Sequence, residues 1–177
     1  MTMSEPLSSW RVAEASANWR TASGDLPDVN VWLALCSAAH PFHAAAMQYW
    51  QSSCQSGTTL WFCRATMMGM IRLLSQPRVM GANVLDLAQA MALYRQWLAT
   101  PAVELWFEVP GVDDALDQML VRRLQPWSAR LWTDLCLAAT AQAAGLRLVS
   151  FDRDFERFNL ERCLILQTPS GSGSQAI

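Results

Sequence analysis

Residues 131–155 read LWTDLCLAATAQAAGLRLVSFDRDF. Small and apolar residues run from Leu131 to Ala144 without a proline, which predicts a helix beginning near SAR (128–130). Gly145 closes it, as glycine does at helix ends because it tolerates a left-handed backbone. LRLVSF (146–151) then predicts a short buried strand. A helix running directly into such a strand is half of a βαβ crossover and implies a parallel sheet. Two carboxylates interrupt the pattern. Asp152 stands where the strand ends, and Asp134 breaks the apolar helix with Leu131, Leu137 and Ala138 at helical spacing around it. Its side chain is therefore expected to point inward or into a cleft.

The same alternation continues outward. A brief strand is expected from Leu26 to about Asp28, followed by a helix in VNVWLALCSAA (29–39). HPFHAAAMQYWQSS (40–53) reads as a second helix with Pro41 near its start, and TTLWFCR (58–64) as a buried strand. ATMMGMIRLLS (65–75) is a helix stopped by Pro77. NVLDLAQAMALYRQWLAT (83–100) is a long amphipathic helix, with Leu85, Ala88, Met91, Ala92 and Arg95 at 3–4 spacing, ended by Pro101. VELWFEV (103–109) is a third strand, and DDALDQMLVRRLQ (113–125) a helix entered through Asp113 or Asp114. CLIL (163–166) is the fifth strand. The fold class is α/β: a central parallel sheet covered by helices on both faces, with right-handed crossovers. In such sheets a ligand binds beyond the carboxyl ends of the strands, at the topological switch point. Asp28 and Asp152 both stand at such ends and face each other if their strands flank the switch.

The chain has 177 residues, 52% of them hydrophobic and 16% charged, which suits one domain with a sizeable core. That domain is expected over residues 26–167. Residues 1–25 are polar and Ala/Ser-rich, a short helix capped by Ser8 or Ser9 and running to about Arg20, with Trp10 and Trp19 available for packing. Residues 168–177, TPSGSGSQAI, form a flexible tail. The net charge of −2 excludes a general basic coat for nucleic acid but leaves room for a local patch. All thirteen basic residues are Arg, which codon composition explains, and Arg suits phosphate contacts. Five scattered cysteines with no C-x-x-C spacing argue against a disulfide framework or zinc site and for a reducing compartment. No segment has the length and purity of a membrane span, and the start lacks a secretory pattern, so a cytoplasmic location is expected.

Each aspartate has a plain structural reading. Asp28 and Asp152 suit helix or turn caps, worth about 1 kcal/mol each. Asp134 has less to do structurally, and an inward carboxylate with no partner raises its pKa and neutralises. Taken together, the three carboxylates favour a bound cation, and oxygen-only ligands select Mg²⁺ or Mn²⁺. Such an ion polarises a phosphoryl group and activates water, so phosphodiester hydrolysis is the natural chemistry. Around them, Asn30, Ser150 and Thr133 suit either contacts to ligand waters or ordinary helix and strand polarity. Arg72 and Arg153 suit either phosphate contacts or surface ion pairs. His40 and His43 are three apart with no third metal ligand in view, Arg122 and Arg123 read as a solvated helix end, and the Met67–Met68–Met70 run reads as core.

LPDVNVWLALCSAAHPFHAAAMQYW (26–50) and TDLCLAATAQAAGLRLVSFDRDFERF (133–158) together resemble the opening and closing segments of PIN-domain proteins of the VapC ribonuclease toxin family. CRATMMGMIRLLSQP (63–77) resembles the helix between them, and the resemblance covers about Leu26 to Leu166. It implies strand order 3-2-1-4-5, which agrees with the switch-point argument. It also implies a metal-dependent endoribonuclease using Mg²⁺ or Mn²⁺ at Asp28, Asp134 and Asp152, an RNA substrate, a homodimer, and a small antitoxin covering the cleft. One departure stands out. Relatives usually carry Glu on the middle helix in a pattern like T-E-x-G-x-x-R, and this chain has Thr66, Met67, Met68, Gly69 and Arg72, with Met67 at the acidic position. A thioether is a poor Mg²⁺ ligand. A non-catalytic PIN-like domain that binds RNA or a partner protein is therefore the alternative. A phosphotransfer enzyme using Asp152 and Asp154 is a third, disfavoured because that pair follows a late strand.

Overall fold

The computed structural model describes residues 24–121 and 127–167. The expected N-terminal helix, Arg122 and Arg123, and the C-terminal tail lie outside them. Among the described residues a five-stranded sheet has the order β3-β2-β1-β4-β5, with every neighbouring pair parallel. The strands are β1 (Asp25–Pro27), β2 (Leu60–Cys63), β3 (Val103–Trp106), β4 (Arg147–Ser150) and β5 (Cys163–Ile165). The helices are α1 (Val29–Cys36), α2 (His43–Gln55), α3 (Arg64–Leu74), α4 (Pro77–Met80), α5 (Leu87–Leu98), α6 (Val112–Val121) and α7 (Trp132–Ala144). The chain leaves β1 toward β2 and returns to β1's other side as β4, so the switch point lies between β1 and β4.

Two apolar clusters lie on opposite faces of the sheet. One joins α6 and α7 to Leu26, Leu148 and Phe155. The other joins α1, α2, α3 and α5 to Leu60, Phe62 and Val149. Trp32 of α1 stacks on Phe62 of β2, with ring centroids 3.9 Å apart, and meets Trp97 of α5 edge-on at 5.4 Å. Such pairs add to the burial of large rings, which explains part of the high Trp content. Gly145 has φ 67° and closes α7 as expected.

Several details differ from the sequence reading. The first strand begins at Asp25 rather than Leu26. Pro77 ends the α3 segment and also starts a new helical turn, α4, at whose first position its missing N–H costs nothing. The buried face of α5 is Ala90 and Tyr94, while Ala88, Ala92 and Arg95 are exposed. Tyr94 packs edge-on against Phe62 at 5.1 Å, and this contact turns the helix. Asp113 and Asp114 lie in the first turn of α6, inside the helix, where their charge suits its N-terminal dipole. Met68 is 59% exposed and does not belong to the core, whereas Met70 is buried.

Candidate active site

Asp28 follows β1 directly and caps α1. Its carboxylate accepts from the Val29 N–H at 2.6 Å and from the Ser150 hydroxyl at 3.0 Å. Its own N–H donates to the Val149 carbonyl at 2.8 Å, which ties the end of β1 to the end of β4. Ser150 is fully buried. Besides donating to Asp28, its Oγ accepts from Asn30 Nδ2 at 2.9 Å and from the Asp152 N–H at 3.0 Å. One donated and two accepted bonds exhaust a hydroxyl. Asn30 returns to β4 by accepting from the Phe151 N–H at 3.2 Å. Ser150 and Asn30 are thus an orienting frame that fixes Asp28 and the backbone of Asp152 across the switch point.

Asp152 caps a 3-10 turn at Arg153–Phe158 and accepts from the Asp154 N–H at 2.8 Å. Asp134 lies in the first turn of α7, half-buried. Burial, opposed by the hydrogen bonds from Ser150 and Val29 and helped by the charges of Asp134 and Asp152, pushes the Asp28 carboxyl up to about 6. Burial also raises Asp134, helped by the charges of Asp152 and Asp154 and opposed by Arg130. Ser150 thus brings Asp28 and Asp152 together, the charge of Asp134 reaches Asp28, and among the described residues no cation offsets Asp28. Among the described residues no group of three acidic, imidazole or thiol side chains is placed to hold a metal ion by itself. An oxygen-rich, open and under-compensated cluster fits Mg²⁺ or Mn²⁺, ions that keep several waters and accept phosphate oxygens beside one or two carboxylates.

The other expected residues separate. Met67 is half-buried on α3 and lines a cleft of about 1400 Å³ that also includes Arg72 and Thr133, the residue before Asp134. The cleft adjoins the aspartates without being lined by them. Arg72 is exposed on it and has no ion pair among the described residues. Arg153 instead pairs with Glu156 at 3.3 Å, its side chain 80% exposed. His40 accepts from the Phe42 N–H at 3.2 Å and His43 bonds the Ala34 carbonyl at 2.7 Å, so both serve the backbone around α2. All five cysteines are free.

Two neighbours escaped the sequence reading. Asp25, 1% exposed, is gripped by both arms of Arg147 at 2.8 and 2.7 Å and accepts from the Tyr49 hydroxyl at 2.8 Å. It is the partner of Arg147 in the β1–β4 register and sits away from the carboxyl ends. Arg130 bonds Asp154 at 3.4 Å and faces Asp134 one helical turn on, a spacing of four that was available as a signal.

This arrangement has known counterparts. The PIN domain profile matches residues 26–160. The chain is 32% identical over 136 residues to Ribonuclease VapC41 of Mycobacterium tuberculosis, covering 75% of this chain and 92% of that protein. It is likewise 32% identical over 134 residues to Ribonuclease VapC33 of the same organism, covering 75% of this chain and 91% of that one. Among solved structures, VapBC2 from Rickettsia felis bound to a promoter DNA fragment superposes with a TM-score of 0.59 at 12% identity, covering 81% of this chain and 98% of that one, a likeness of fold. The chain belongs to the PIN-domain family, among the VapC ribonuclease toxins.

Proposed function

We propose that this protein is a divalent-metal-dependent endoribonuclease, the toxin of a type II toxin–antitoxin pair, acting in the cytoplasm on RNA phosphodiester bonds. The observation that carries the reading is the Ser150 hydroxyl bonded to both the Asp28 carboxylate and the Asp152 N–H at the switch point, with the Asp134 charge in reach and, among the described residues, no cation offsetting Asp28. When bound there, Mg²⁺ or Mn²⁺ supplies Lewis acidity toward the phosphoryl oxygen and the attacking water. Asp28, Asp134 and Asp152 would hold the ion, one or two of them directly and the rest through its waters. Ser150 and Asn30 keep Asp28 and Asp152 in register, and Arg72 contacts a phosphate entering along α3. Family likeness to VapC41 and VapC33, and fold likeness to the VapBC2 complex, support an antitoxin partner; a homodimer completes the proposal, and sedimentation with and without the antitoxin tests both. The direct test is cleavage of RNA with Mn²⁺ or Mg²⁺ by the native chain and by Asp28→Asn. Loss of cleavage in the variant is expected, and equal rates in the two would refute the assignment.

Met67 favours a second reading, a PIN domain that binds RNA or a partner protein without cutting it. The discriminating variant is Met67→Glu. Cleavage gained from a silent native chain establishes the binder, and cleavage by the native chain eliminates it.

A further inference from the structure

We propose that the cleft beside the aspartates reads one unpaired nucleobase of the RNA strand, preferring bases that carry an exocyclic amine to uracil. The proposal rests on the ribonuclease reading and concerns how that site selects its substrate. The cleft, about 1400 Å³, lies between α3 and the segment after β3, and touches α7 at Thr133 and Thr140. Pockets of about 300–1,000 Å³ suffice for small ligands, so a nucleotide and its flanking phosphates have room.

The two walls differ in chemistry. On α3, Arg64, Met68 and Arg72 follow one another at spacings of four, so they share one face along about 12 Å of helix. All three are exposed and line the cleft. Neither arginine has an ion pair among the described residues, in a chain whose net charge is −2. Two guanidiniums without ion pairs, in line along α3 and opposite a wall that carries the carboxylates, give a strip that complements a phosphate backbone and offers paired donors to its oxygens. The facing wall carries Phe107, 50% exposed, with the Arg64 guanidinium 3.5 Å from its ring centroid. With one face covered by that guanidinium, the half-exposed ring leaves its other face as a stacking surface for a base, tolerant of which base it is. Next to it Glu108 lines the cleft, exposed and without an ion pair among the described residues.

Glu108 supplies both orientation and selectivity. Its charge repels phosphate, so the backbone runs along the Arg64–Arg72 wall and the base edge turns to the loop. A carboxylate only accepts hydrogen bonds, so it rewards the exocyclic amine of cytosine, adenine or guanine, where uracil carries carbonyl oxygens and offers only its ring N3–H between them. Met67, at the junction of cleft and aspartates, gives an apolar contact where a carboxylate would repel the strand. The cleft stays next to the aspartates because α1 and α3 approach closely: a Cβ on Gly69 would lie 2.6 Å from the Val29 side chain, one residue from Asp28. A basic peptide is the competing occupant, since Asp113 and Asp114 also line the far wall. The free arginines on α3 argue against it.

The test measures anisotropy of labelled single-stranded oligo(rC), oligo(rA) and oligo(rU) with the full chain in chelator at low salt, where nothing is cut. Oligo(rC) and oligo(rA) are expected to bind more tightly than oligo(rU). Phe107→Ala should weaken both about tenfold, Glu108→Gln should erase the preference, and Arg64→Gln with Arg72→Gln should weaken all three alike. Unchanged melting temperatures establish that these exposed substitutions leave the fold intact. Equal binding of all three oligomers, unaffected by Phe107→Ala in a protein that cleaves RNA with metal, overturns the base-reading cleft and spares the ribonuclease reading. Variants that lose an Arg-rich peptide and keep RNA overturn it in favour of a protein surface. No RNA bound and none cleaved overturns the ribonuclease reading itself.

Discussion

Asp28 is held where its charge costs stability. Its carboxyl is raised to about 6 from an ordinary 3.8, so the folded chain holds a proton that the unfolded chain has released. In chelator, stability is therefore expected to fall as pH rises from about 4 through about 6 and to level off above that. Asp28→Asn removes the penalty and keeps an acceptor for the Val29 N–H. It should stabilise the metal-free protein at pH 7.5 by about 1–2 kcal/mol, a rise of several degrees in melting temperature. A lower melting temperature would show that the cap matters more than the charge. Arg147→Ala acts in the opposite direction. It leaves Asp25 buried and unpaired, and a loss of about 2–3 kcal/mol in urea unfolding is expected, moderated because Arg147 is partly exposed. The three aspartates proposed for the site stood out in the sequence because each breaks an apolar pattern. Asp25 was not, because it precedes its run and needs a partner from the far end of the chain. Ser150 looked like any strand-end serine; its saturation by three hydrogen bonds exists only once β1 and β4 are side by side.

At the scale of elements, the approach of α1 to α3 decides where Asp28 stands. Gly69→Ala drives a methyl into Val29, and because the obstacle is a β-branched side chain in a packed helix, the helices must separate. A loss of about 1–3 kcal/mol is expected. Cleavage should fall further than stability alone explains, measured at a temperature where the variant is fully folded. The alternation of strands and helices was legible from apolar runs and punctuation, and with it the α/β class. The facing of α5 was not. Alanines are ambiguous in a hydrophobic pattern, and the outcome depends on Tyr94 finding Phe62 across the sheet. Pro77 likewise stops one helix and starts another, and only the next residues' backbone distinguishes the two roles.

For the whole molecule, the membrane question is answered simply: among the described residues no helix is long and apolar enough to cross a bilayer. Metal should act as a ligand for the native state alone. At a hundredfold excess over its dissociation constant, Mn²⁺ is expected to stabilise the protein by about 2.7 kcal/mol, read as a concentration-dependent rise in melting temperature. Asp28→Asn should abolish that rise, and an unchanged response would place the ion elsewhere.

The order of the strands has one more consequence. β1 lies in the middle of the sheet and pairs with β4 over its full length, so Asp28 waits for Ser150, Asn30 for Phe151, and the cluster for Asp152. The ribosome makes Asp28 and Ser150 at positions 122 residues apart. On the proposed reading, a chain still being translated has no assembled cutting centre, and a truncated product has none either. On that same reading, synthesis is safe for the RNAs that direct it until β4 has emerged and docked on β1.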